Sequence, residues 1–68
     1  MYEALVFAYG RKLNFGEFYT EFDAKIACER HAGIPLQWRI YASHDHGFYA
    51  NAGKRLYIVR PATESDAQ

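Results

Sequence analysis

The chain has 68 residues, half of them hydrophobic and 18% aromatic, and its eight basic and eight acidic residues cancel. That length makes one domain at most, and the apolar content excludes a disordered chain. The missing net charge gives no strong long-range pull toward nucleic acid or an anionic membrane.

Residues 2–9, Tyr-Glu-Ala-Leu-Val-Phe-Ala-Tyr, read as a strand that stops at Gly10. Gly10–Asn14 reads as a turn, and Phe15–Tyr19 as a short second strand in a hairpin with the first. Thr20 is placed to cap the next segment, with Asp23 three residues on, a capping box with Asp in place of Glu. Glu21 and Asp23 suit the positive end of a helix dipole. Gly33 ends the segment and Pro35 forbids its return. A helix is therefore predicted over residues 21–32.

Leu36, Trp38, Ile40 and Ala42 alternate with Gln37, Arg39, Tyr41 and Ser43, the period of a half-buried strand. His44–Gly47 is a turn, Phe48–Asn51 a short strand and Ala52–Lys54 a second turn. Residues 55–60 alternate again, with Leu56 and Ile58 on one side and Tyr57 and Val59 on the other. The expected fold is α+β: a single helix packed on one face of an antiparallel sheet of four to five strands, in β(β)αβββ order. Residues 1–61 form that domain, and 62–68 form a flexible polar tail.

Two helix faces compete for the sheet. Ala24, Ala27, Cys28 and His31 share one side, and Phe22 and Ile26 fall nearly opposite. Either the small residues approach the sheet closely, or Phe22 and Ile26 are the core contacts.

Cys28 and His31 at i, i+3 hold the residue types of a thiol and its base, or of half a zinc site completed by His44 and His46. A mid-helix cysteine among alanines beside Glu29 lacks the electropositive setting of a catalytic thiolate. At strand rise, residues 36–43 run back about 26 Å along a helix about 18 Å long, which carries His44 and His46 away from Cys28 and His31. No catalytic residue, cofactor or small-molecule substrate is expected; His44 and His46 are the weak metal candidates. The glycines are spaced as turn punctuation, without a phosphate loop. Glu17, Glu21, Asp23 and Glu29 read as a helix start and a solvated flank.

The open sheet face is the richest surface. With Leu36, Trp38, Ile40, Phe48, Ala50, Leu56 and Ile58 turned to the helix, the other face collects Arg39, Tyr41, Tyr49, Asn51, Arg55, Tyr57 and Val59. Strand 2–9 adds either Leu5, Phe7 and Tyr9 or Tyr2, Ala4, Val6 and Ala8. Tyr and Arg are enriched where interfaces hold their binding energy. The same groups suit stacking on single-stranded bases, with the small net charge against it. A solvated face carrying tyrosines for strand propensity is the plain alternative.

Thr20-x-x-Asp-Ala-Lys-x-Ala-Cys-Glu-x-His-Ala-Gly33, Leu36-x-Trp, Gly47-Phe-Tyr-Ala and Arg55-Leu-Tyr-Ile-Val-Arg-Pro61 resemble small uncharacterised proteins encoded by bacteriophages. The likeness covers about residues 15–61. It implies an accessory product that binds and modulates or inhibits a host protein complex. The expectation is a non-enzymatic interaction module acting through Arg39, Tyr41, Tyr49, Arg55 and Tyr57, or through the Phe22–Ile26 ridge. Its partner is a protein or a second copy of itself. Single-stranded nucleic acid is the alternative, with a histidine-based metal module behind it. A lone cysteine and the lack of a signal-peptide pattern fit the cytoplasm, that of the host if phage-encoded, and no membrane span is expected.

Overall fold

Tyr9 and Gly10 both have positive φ, 54° and 75°. Two consecutive left-handed residues are what a two-residue type I′ hairpin requires. In the computed structural model, which describes residues 1–40 and 47–62, they join β1 (Tyr2–Ala8) to β2 (Arg11–Phe18), with Ala8 opposite Arg11. The turn expected over Gly10–Asn14 is thus one step earlier, and Lys12, Leu13 and Asn14 are ladder residues. Tyrosine is uncommon in the left-handed region, so Tyr-Gly does not announce a turn as Asn-Gly does.

β2 carries a bulge. Ala4 lies opposite Gly16 and Leu5 opposite Asn14, which leaves Phe15 as the extra residue. Gly16 has φ 111°, and its N–H donates to Asn14 Oδ1 at 2.7 Å. The extra residue changes which side chains share a face. Phe15 and Phe18, an odd number apart, both pack against the core under the helix.

The helix α1 (Glu21–Ala32) starts and stops at the expected residues. Thr20 Oγ1 accepts from the Asp23 N–H at 3.0 Å. Gly33, at φ 78°, ends it by donating its N–H to the Glu29 carbonyl at 2.8 Å. Ala24 and Cys28 are fully buried while Phe22 is 69% exposed. The small-residue side therefore faces the sheet, where Ala4 and Ala50 are equally small.

Beyond the helix lie β3 (Arg39–Ile40), β4 (Phe48–Ala52) and β5 (Arg55–Pro61). Gly53, at φ 63°, opens the two-residue turn between β4 and β5. The strand expected from Leu36 is shorter at its start, because Leu36 and Trp38 are drawn toward the helix instead. Tyr41, His44 and His46 lie outside the described residues, as does the tail from residue 63. Every strand pair is antiparallel, and the order is β2-β1-β5-β4-β3. The Ala62 N–H donates to the Met1 carbonyl at 2.8 Å, extending the β1–β5 edge of the ladder by a step.

The helix packs chiefly on β1, β2 and β5. The core beneath it is Ala4, Val6, Ala24, Cys28, Leu36, Ala50, Tyr57 and Val59. Two expectations about sheet faces are corrected. Tyr57 and Val59 point to the helix, and Leu56 and Ile58 to the opposite side. β5 is central, with apolar residues on both faces, so its alternation does not say which face is inward. Ile40, expected under the helix, is exposed: it shares a side with Phe48 across β3–β4, but at the sheet edge farthest from β2.

Candidate functional site

A polar link joins the core to the last turn of the helix. The Tyr57 hydroxyl lies 2.8 Å from His31 Nδ1, and the Phe15 ring stands 5.0 Å from the imidazole on a tilted approach. Tyr57 is fully buried, so its hydroxyl needs this partner. With the imidazole proton on Nε2 the phenol donates to Nδ1; with the proton on Nδ1 the roles reverse.

Cys28 sits beside this link without sharing its chemistry. Burial, and secondarily the neighbouring Glu29 charge, push its thiol up to about 12. Such a thiol is protonated at neutral pH, which removes its nucleophilic form. Among the described residues no three or more His, Cys, Asp or Glu side chains gather to hold a metal ion. His44 and His46 lie outside that description.

Glu29 is an anchor and not a solvated flank. Its Oε2 accepts from the Trp38 indole N–H at 3.1 Å and from the Leu36 N–H at 3.3 Å. This draws the Gly33–Trp38 connection back over the helix and buries Leu36. One turn earlier, Lys25 Nζ lies 3.6 Å from the centre of the Phe48 ring and 2.8 Å from Glu21 Oε2. These contacts join α1 to the β3–β4 side of the sheet.

The sheet face opposite the helix differs from the expected one. Tyr57 is inside, and Arg55 follows its parity: it pairs with Ala8 and Ala52 at the start of β5 and is half-buried. Tyr41 lies outside the described residues. Arg39 and Tyr49 do share the face, directly opposite each other across β3–β4, with Arg39 exposed and Tyr49 half-buried. β1 contributes Glu3, Leu5 and Phe7, and β5 contributes Leu56, Ile58 and Arg60. At the centre of this face Leu5 and Ile58, opposite each other, are 0% and 5% exposed. One step along, Arg60 Nε donates to Glu3 Oε2. Toward the hairpin end Phe7 remains 38% exposed opposite the half-buried Leu56.

The outer side of α1 is the more exposed of the two candidate surfaces. Phe22 stands free of the core, with Ile26 half-buried one turn on. Tyr19 before the helix and Ile34 after it are exposed as well. Ile26 separates two shallow depressions. One is lined by Glu17, Phe18, Tyr19, Asp23, Ala27 and Arg30, the other by Glu29, Arg30, Gly33, Ile34 and Pro35. The helical pattern singles out Phe22 and Ile26 but not Tyr19 and Ile34. A signal for Tyr19 existed: an aromatic before an N-cap normally staples onto the fourth helical residue, and here that residue is Ala24, already spent on the sheet.

No helix among the described residues is long and apolar enough to cross a membrane. Comparison with known proteins gives no matching family model, no significant match among curated proteins and none among solved structures.

Proposed function

We propose that this chain is a non-enzymatic protein-interaction module that docks through the outer ridge of α1. The observation that supports it is the 69% exposure of Phe22, continued by Tyr19, Ile26 and Ile34. The opposite side of the same helix is committed to the sheet. Contiguous exposed apolar surface rimmed by charge is what interaction sites present, and aromatic side chains are the usual anchors. The partner is another protein or a second copy of the chain; in the bacteriophage setting that the resemblance implies, the former is a host protein complex. Stacking of single-stranded bases needs a row of exposed rings. Of the tyrosines expected on the sheet face, Tyr49 alone is there among the described residues, so nucleic acid is the weaker reading.

Photo-crosslinking tests this in the expressing cell. A benzophenone amino acid is placed at position 22 and, in a second protein, at Asn51 on the opposite sheet face. Protein adducts from position 22 and none from position 51 are expected. Adducts from position 51 alone, or from neither, overturn the reading.

A further inference from the structure

Asp23, Ile26, Ala27 and Arg30 stand at i, i+3, i+4 and i+7 on α1, which is one stripe of a helix. All four line the same shallow depression. The stripe has an acid in the first turn, a base in the last turn and apolar side chains between. We propose, building on the docking reading above, that its partner is the same stripe of a second copy. The two helices lie antiparallel about a twofold axis that passes between Ile26 and Ala27.

The charges choose that arrangement. Positions 23 and 30 are equidistant from the axis, each about 5 Å along the helix at its normal rise. Antiparallel pairing brings each Asp23 level with Arg30 of the partner copy, twice over. Parallel pairing sets Asp23 beside Asp23 and Arg30 beside Arg30. At the axis the branched Ile26 meets the small Ala27 of the other copy, a large-to-small fit that lets the helices approach. Phe22 comes level with the partner's last turn, where Arg30 stands, with Ile34 just past the C-cap. Opposed helix dipoles add in the same direction. The contact is isologous, so it closes at two copies.

The β2 edge of the sheet suits a second copy less well. β2 is bulged, and its Gly16 N–H already donates to Asn14, a device that blunts edge pairing. An interface centred on one 12-residue helix falls below the ~1,200 Å² of stable complexes, so assembly is expected to be weak and concentration-dependent.

Sedimentation equilibrium up to ~1 mM protein at low salt tests the proposal, because screening weakens surface charge pairs. The unaltered chain should self-associate to a dimer. Ile26→Glu should abolish it, with circular dichroism confirming the helix. Asp23→Arg and Arg30→Asp should each weaken self-association about tenfold or more, because each sets like charges together at both ends. Mixing those two variants should restore a heterodimer, since both contacts are then Arg–Asp. A monomer at every concentration overturns the proposal. So does a dimer that Ile26→Glu leaves intact, or single charge variants that dimerise like the parent, or a mixture that stays monomeric. A monomer that still crosslinks from position 22 to a different protein removes the second copy as occupant and leaves the docking surface standing.

Discussion

Tyr57 on the central strand and His31 in the last turn of the helix meet through a 2.8 Å hydrogen bond, which satisfies the one polar atom of the side chain that β5 turns inward beside Val59. Tyrosine is tolerated in a fully buried position when its hydroxyl is satisfied, and the helix supplies the partner. Tyr57→Phe keeps the ring and removes the bond. Its cost should be about 1 kcal/mol, and at the lower end, because His31 is itself exposed. Tyr57→Ala, which empties the space, should cost about 3–5 kcal/mol. A double-mutant cycle pairing Tyr57→Phe with His31→Ala, read by urea denaturation, should return a coupling of about 0.5–1.5 kcal/mol. Strict additivity would show that the bond contributes nothing to stability.

Cys28 makes stability depend on pH in the alkaline range. Its thiol rises from 9.0 to about 12 in the folded chain. Between those values the unfolded chain has lost the proton and the folded chain keeps it. The unfolded state binds fewer protons, so stability falls as pH rises, by about 1.4 kcal/mol per pH unit from this group. Below pH 9 the contribution is level. The measurement is a difference that isolates this group: urea unfolding of the parent and of Cys28→Ala at pH 8, 10 and 11. The parent should lose stability faster, and parallel curves would refute the assignment. In the same setting, a thiol reagent at pH 8 should modify the native chain far more slowly than the chain in urea.

Much of the fold was legible because local and global signals agree. Thr20 and Gly33 bound the helix by cap chemistry alone, and the strands announce themselves by β-branched and aromatic content. What the sequence withheld depends on contacts distant along the chain. Leu56 and Ile58 are as apolar as Tyr57 and Val59, and a central strand buries both faces, so polarity could not orient it. The common face of Phe15 and Phe18 needs a bulge, whose one trace is Asn14 followed two residues later by Gly16. The ridge was legible as two residues only. Phe22 and Ile26 look like core contacts until Ala4 and Ala50 show that the sheet accepts small partners. The tyrosine face differs because the parity of β5 places Tyr57 and Arg55 on the other side, which leaves Arg39 and Tyr49 on it among the described residues.

Glu29 offers a third test, because one carboxylate oxygen holds two donors from the connection after the helix. Glu29→Ala should cost about 1–2 kcal/mol, within the range for hydrogen bonds to a charged group and reduced by partial exposure. Glu29→Gln keeps an acceptor and should retain most of the stability. Trp38 is the single tryptophan of the chain, so its indole N–H resonance and emission report the site directly. Both should shift in Glu29→Ala. Unchanged tryptophan signals would mean that the connection holds its place without the carboxylate.

Tyr9 occupies a conformation that its side chain does not favour, at φ 54° in the first hairpin. A β-carbon in the left-handed region costs about 1 kcal/mol, and asparagine bears that cost best among the chiral residues. Tyr9 is 77% exposed, so its ring has little packing to lose. Tyr9→Asn creates the Asn-Gly pair that type I′ turns prefer. It should stabilise the chain by about 0.5–1 kcal/mol, which for a domain of this size raises the thermal midpoint by roughly 2–8 °C. Gly10→Ala, which puts a β-carbon at φ 75°, should move the midpoint the other way even though the space beside it is empty. If Tyr9→Asn lowers the midpoint instead, the exposed ring has a role in holding the hairpin that outweighs its backbone cost.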